Sequence, residues 1–144
     1  MSSLFARSSE FDFLLCLIFE IFQCKVAAWL ATQGPLVTRV WHTSRPDHPD
    51  HQLALQQMSG HPGVLAIDLA TPEQARQLVT LTRVFADCTS LGGVESLIDY
   101  RQRWDNTEDP CIVRLSIGLE SPEDLIADLA QAFAKLNQNS TSKL

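Results

Sequence analysis

Between Ile112 and Leu136 the hydrophobic period changes once, from two residues to about 3.6, and this single switch limits the architecture more than any other feature of the chain. Val113, Leu115, Ile117 and Leu119 are apolar at every second position, which leaves Ile112, Arg114, Ser116 and Gly118 on the opposite face of a strand. Ser121-Pro122-Glu123-Asp124 then opens a helix, with a hydroxyl at the cap and proline at the first helical position. Leu125, Ile126, Leu129, Ala132, Phe133 and Leu136 form its inward stripe. A half-buried strand feeding an amphipathic helix needs a two-layer α/β fold to cover both apolar surfaces. The polar tail from Asn137 is predicted to fray.

The upstream sequence repeats the theme. Phe11, Leu14, Leu15, Ile18, Phe22, Val26, Trp29 and Leu30 recur at helical spacing, predicting a helix from about Glu10 to Thr32, stopped by Gly34-Pro35. Leu36 to Trp41 reads as a strand, with Val37 and Arg39 on one face and Leu36, Thr38 and Val40 on the other. A loop over His42 to Pro49 precedes a short helix, Asp50 to Met58, with Asp50 as its cap. Val64 to Leu69 is a compact apolar strand, and Thr71-Pro72-Glu73-Gln74 starts a helix that buries Ala75, Leu78, Val79, Leu81 and Val84. Cys88 to Leu91 is expected to be extended, ahead of Gly92-Gly93. These elements predict an open α/β sheet with helices largely on one face.

The chain's 144 residues suffice for one domain with a real core. Its net charge of −6 and scattered Lys and Arg exclude a nucleic-acid surface. Cys16, Cys24, Cys88 and Cys111 have no paired spacing and are expected to be reduced, mostly buried thiols. His42, His48, His51 and His61 lack thiol or carboxylate partners at metal-ligand spacing, so no metal is expected. The apolar run from Phe11 to Phe22 is too short to span a membrane and is broken by Asp12 and Glu20. It also lacks the positive start of a secretory signal, so a cytoplasmic location is expected.

Two places carry chemistry. Arg114 sits mid-strand on the less apolar face, where a rigid backbone would aim a planar pair of donors at a carboxylate. The competing reading is an exposed arginine, or one paired with a nearby Asp or Glu. Thr89-Ser90-Leu91-Gly92-Gly93 joins two hydroxyls to a pair of glycines that permit a tight bend and close approach of a ligand. An ordinary loop cap would use the same residues.

Three stretches together resemble the cystathionine γ-synthase, cystathionine γ-lyase and methionine γ-lyase family of Cys/Met-metabolism enzymes. They are Thr89 to Ile98 (TSLGGVESLI), Ile112 to Glu120 (IVRLSIGLE) and Ser121 to Ala130 (SPEDLIADLA). The resemblance implies the small C-terminal domain of a pyridoxal-phosphate-dependent transferase of the aspartate-aminotransferase-like fold. It covers residues 23–136, preceded by an unmatched apolar segment, 1–22, and followed by a polar tail, 137–144. It further implies that Arg114 grips the substrate α-carboxylate, that Ser90 lies beside the cofactor lysine and substrate, and that Thr89 helps set substrate preference. The family's Schiff-base lysine and phosphate-binding loop belong to a large N-terminal domain. Lys25, Lys135 and Lys143 do not sit in a setting resembling that cofactor site. His61-Pro62 also replaces the family's glycine-rich turn.

The expectation is a substrate-binding domain of a trans-sulfuration enzyme, lyase or transferase, that is inactive alone. A separate cofactor-binding domain is its expected partner, and sulfur amino acids are the ligands of the intact enzyme. The alternatives are a non-catalytic module that binds amino acids or a protein, and a non-functional remnant. The apolar run at 11–22 is also expected to drive self-association, because a contiguous apolar surface seeks cover. Replacing Leu14, Leu15 and Ile18 by polar residues should convert micromolar dimers or larger species to monomers by light scattering.

Overall fold

The computed structural model describes residues 20–90 and 92–141. Helix α1 occupies residues 20–30. It is followed by β1 (Val37–Trp41), α2 (His51–Gln57), β2 (Val64–Leu69), α3 (Pro72–Leu81), β3 (Ala86–Asp87), β4 (Leu97–Tyr100), a 3-10 turn at Arg101–Arg103, β5 (Ile112–Ser116) and α4 (Pro122–Thr141). The strands form one mixed sheet in the order β1-β2-β5-β4-β3. Only the short β3–β4 pair is parallel. Among the described residues no helix is long and apolar enough to cross a membrane.

The alternation read from the sequence places the core. Leu65, Ile67 and Leu69 of β2, Ile98 and Tyr100 of β4, and Val113 and Leu115 of β5 face one way. Three helices bury their stripes in the same cluster: Val26, Ala27 and Leu30 from α1, Ala75, Leu78 and Val79 from α3, and Leu125, Leu129, Ala132, Phe133 and Leu136 from α4. Trp29 stacks on Phe133 with ring centroids 5.8 Å apart, joining α1 to α4. The fold is therefore α/β with an open sheet, as expected. Thr71 caps α3 by accepting from Gln74 N at 3.2 Å, with Pro72 at the first helical position.

Several boundaries differ, each for a physical reason. β1 does not alternate strictly: a register shift between Val37 and Arg39 lets Val37 and Val40 both turn inward while Thr38 and Arg39 are exposed. β4 is absent from the sequence reading because Asp99 breaks a four-residue run, and the edge strand is Ala86–Asp87, just ahead of the expected extended stretch at Cys88–Leu91, whose last residue lies outside the described residues. β5 stops at Ser116, and Leu119 is 39% exposed. α3 ends at Leu81 and leaves Val84 exposed, because the carboxylate of Asp128 captures three successive amides. Arg83 N, Val84 N and Phe85 N all donate to it at 2.8–3.1 Å, and Phe85 enters the core instead.

Asp50 makes no side-chain cap at α2, and its own amide donates to His48 Nδ1. α1 ends at residue 30, two short of the reading, and its predicted start at Glu10 lies outside the described residues. α4 continues through Asn137 to Thr141 instead of fraying. Cys88 is exposed and Cys24 and Cys111 are half-buried, so the described thiols are less buried than expected; Cys16 lies outside the described residues.

Two substitutions measure this packing. Leu115→Ala, at a fully buried mid-sheet position, should cost about 2–5 kcal/mol in urea unfolding. Asp128→Ala should cost about 1.5–3 kcal/mol, the worth of hydrogen bonds to a charged group, although it removes no apolar contact.

Candidate functional site

The face of the sheet turned away from α1, α3 and α4 carries the polar residues. Strand register aligns Trp41, Ala66, Arg114 and Asp99 in one row across β1, β2, β5 and β4. Arg114 follows from the alternation of β5: Val113 and Leu115 enter the core, so their neighbour must project the other way. Ala66 beside it is small. On the outer side Arg39 lies over the Trp41 ring at 3.6 Å, and Trp41 Nε1 donates to Asp68 Oδ1 at 2.9 Å.

Asp99, opposite Arg114, has a side chain only 2% exposed. A buried carboxylate needs donors, and it has them: Arg101 Nη1 donates to Oδ2 at 3.0 Å and Trp104 Nε1 to Oδ1 at 2.9 Å. Arg114 Nη2 stands 3.8 Å from Oδ2, an ion pair too long to be a hydrogen bond. Among the described residues the Arg114 guanidinium donates no hydrogen bond. It is 21% exposed, held by a charge partner, and its donor pairs are uncommitted. The competing sequence reading, an arginine paired with an acid, is thus met only in its weaker form.

The second candidate lies past β3. Asp87 pairs with Ile98, and Cys88 N donates to Ile98 O at 3.1 Å, so the chain runs out beside β4 into Thr89 and Ser90. Thr89 is exposed and Ser90 half-buried. Ser90 Oγ accepts from Gly92 N at 3.1 Å, and Gly92 has φ +103°, a conformation that favours glycine. Ser90 therefore closes its own turn, as a loop cap does. Ser90 and Arg114 share no hydrogen bond among the described residues, and Leu91 lies outside them.

Sequence reasoning missed the residues that fix this region. Glu120 accepts from Ser96 N at 3.0 Å and from Ser96 Oγ at 2.6 Å, and that same hydroxyl oxygen accepts from Gly118 N at 2.9 Å. Burial raises the Glu120 carboxyl, but the Ser96 hydrogen bonds outweigh it and hold the group below its ordinary range. A Cβ on Gly118 would lie 2.4 Å from Val94 O, so only glycine lets the two loops meet. Arg103 grips Asp87 with two bonds of 2.9 Å and pins the short edge strand. The available signal for Asp99 was an acid inside an otherwise apolar run, followed two residues later by Arg101. His51 begins α2, while His42, His48 and His61 lie in loops. His42 is 2% exposed and donates from Nε2 to Pro62 O at 3.0 Å, while its Nδ1 lies 2.6 Å from Ser44 Oγ.

Comparison with known proteins gives the family. The family described as Cys/Met metabolism PLP-dependent enzyme matches residues 23–134. All three stretches that carried the resemblance fall inside that span. The chain is 43% identical over 108 residues to cystathionine beta-lyase of Bordetella avium, covering 69% of this chain and 27% of the relative. It is 40% identical over 119 residues to cystathionine gamma-synthase of Mycobacterium bovis, covering 76% of this chain and 30% of the relative. Among solved structures, metB from Corynebacterium glutamicum superposes with a TM-score of 0.78 at 31% identity, over 83% of this chain and 33% of that one. The chain thus spans no more than about a third of each of these proteins.

The described lysines do not fit covalent attachment of that family's cofactor. Lys25 is half-exposed on α1 and ion-paired with Glu123 in the first turn of α4. An amine becomes a good nucleophile in a desolvated or cationic setting, not beside a carboxylate at a helix surface. Lys135 lies on α4, in the helix layer, and Lys143 lies outside the described residues. The Lys25 hydrogen bond, with lesser help from the Glu123 backbone amide and Ser121, pushes Glu123 down to about 2. A depressed carboxyl contributes stability above its unfolded value and loses it as pH falls toward the folded value. Stability should therefore decline between about pH 4.5 and about pH 2, and Glu123→Gln should remove that part of the decline in acid unfolding monitored by circular dichroism.

Proposed function

Because this chain belongs to the Cys/Met-metabolism PLP-dependent enzymes, we propose that it forms the substrate-orienting C-terminal part of a trans-sulfuration enzyme of the cystathionine synthase or lyase type. In this reading residues 23–136 are the working unit, and the 144-residue chain does not catalyse alone. The observation that carries it is the uncommitted fork of Arg114. Its two donor pairs match the two oxygens of an amino-acid carboxylate, and β5 is hydrogen-bonded on both sides, to β2 and β4, so the fork is rigidly based. Orientation of this kind lowers the entropic cost of reaching the reactive arrangement.

Asp99 tunes the clamp. Placed 3.8 Å away, it steadies the guanidinium, while its hydrogen bonds come from Arg101 and Trp104. Ser90 Oγ accepts from Gly92 N and keeps its own proton to donate, and Thr89 beside it is exposed to a neighbouring group. Pyridoxal phosphate supplies the family with an electron sink for elimination and replacement at sulfur amino acids. Its amine and phosphate cradle would come from a further polypeptide segment, in a cytoplasmic setting. Val94 and Trp104, exposed at 65% and 63%, are the kind of apolar surface such a segment would cover.

Joining this chain to the cofactor domain of a related enzyme, fused or in trans, tests the proposal. Turnover of sulfur amino acids should appear, and Arg114→Lys should lose about 1.5–3 kcal/mol in kcat/KM, since one ammonium does not reproduce a bidentate grip. Arg114→Ala should fold normally because it leaves the core untouched. Normal turnover with Arg114→Lys, or unfolding by Arg114→Ala as severe as that of Leu115→Ala, would make Arg114 a structural residue.

A further inference from the structure

The buried stripe of α1 reads Gln23, Val26, Ala27, Leu30, and its first member is out of place. Gln23 is 3% exposed, and its Oε1 is buried without a hydrogen-bond partner. Among the described residues its carboxamide nitrogen also makes no hydrogen bond. A buried amide oxygen left without a donor forfeits its hydration, a penalty that an apolar residue of the same shape does not carry. Gln23 lines a cleft of about 400 Å³ with His61, Gly63, the Gly92–Gly93 turn, Val94 and Ile117.

The lining sets the chemistry of an occupant. Among the described residues it contains no Asp, Glu, Lys or Arg, so no carboxylate, ammonium or guanidinium group lines it. Gln23 offers one acceptor and one donor group side by side. His61 Nδ1 is engaged with Thr43 Oγ1 at 2.9 Å, which leaves its Nε2 for another partner. Val94, Ile117 and the glycine backbone supply apolar and flat surface around these polar groups. We propose that this cleft binds a small uncharged molecule bearing a primary carboxamide, whose N–H donates to Gln23 Oε1 and whose oxygen accepts from Gln23 Nε2. The site is separate in chemistry from the Arg114 clamp, which selects a carboxylate, and does not rest on that reading.

Gly63 provides a second, gentle way to fill the cleft. A Cβ there would lie 3.7 Å from Ile117 O and 3.8 Å from Gln23 Oε1, ordinary contact distances, so Gly63→Ala should fold while placing a methyl against the carboxamide. Benzamide is the probe and benzoate its charged control, titrated into the 15N-labelled 144-residue chain. Benzamide should shift the Gln23 side-chain amide and the Gly63, Gly92 and Gly93 backbone amides saturably, and benzoate should not move them. Gln23→Leu and Gly63→Ala should each raise the apparent Kd at least about tenfold, the scale of one lost hydrogen bond or more. Without ligand, Gln23→Leu should raise the thermal midpoint, because it removes an unpaired buried group. No saturable shift at these amides, an equal response to benzoate, or an unchanged Kd in both variants would overturn the proposal. So would a lower midpoint for Gln23→Leu, which would mean that the carboxamide is satisfied within the fold by ordered water.

Discussion

A carboxylate buried in the middle of a four-residue strand has to be compensated, and the way Asp99 is compensated governs what its neighbours can do. Its two oxygens go to Arg101 and Trp104, both supplied by the 3-10 turn that follows β4 and the residue after it. That choice holds the turn against the sheet. It also leaves Arg114, directly across the strand pair, near enough to feel the charge and too far to be bound by it. Had Arg114 taken Asp99 Oδ2 itself, the same residues would make a closed structural ion pair. The strand, the acid and the arginine thus depend on one another, and the functional reading depends on the partition among three donors.

Two further carboxylates act as joints in the surrounding frame. Asp128 on α4 gathers the amides that follow α3, and so decides that Phe85 rather than Val84 enters the core. Glu120 gathers Ser96, and through its hydroxyl Gly118, tying the loop before β4 to the exit of β5. Both joints use one charged acceptor for several backbone or hydroxyl donors. Such arrangements fix loop geometry over long sequence separations without apolar area.

This explains which parts were legible in the sequence. Helices α3 and α4 and strands β2 and β5 carry strong periodicity and clear start signals at Thr71-Pro72 and Ser121-Pro122, and they lie close to where those signals put them. The face of Arg114 followed from Val113 and Leu115 alone. β1 was harder, since a register shift leaves no mark in a five-residue alternation. β4 was invisible because Asp99 looks like a loop residue until its partners are known. Val84 was assigned inward because helical periodicity continues past Leu81, and only a carboxylate 44 residues away stops the helix there. In the candidate site, Arg114 was found by pattern, whereas Asp99, Arg101 and Trp104 needed the folded chain to bring them together.

The central claim is that Arg114 keeps its fork free while Asp99 takes its hydrogen bonds from Arg101 and Trp104. The most direct measurement is the Arg114 Nε–Hε resonance of the labelled chain during titration with L-norleucine, with norleucinol, which lacks the carboxylate, as control. Norleucine should give a saturable shift and norleucinol none, with a much weaker response in Arg101→Met, where the released Asp99 oxygen turns to Arg114. An Arg114 signal indifferent to norleucine, or an identical titration in Arg101→Met, would contradict it.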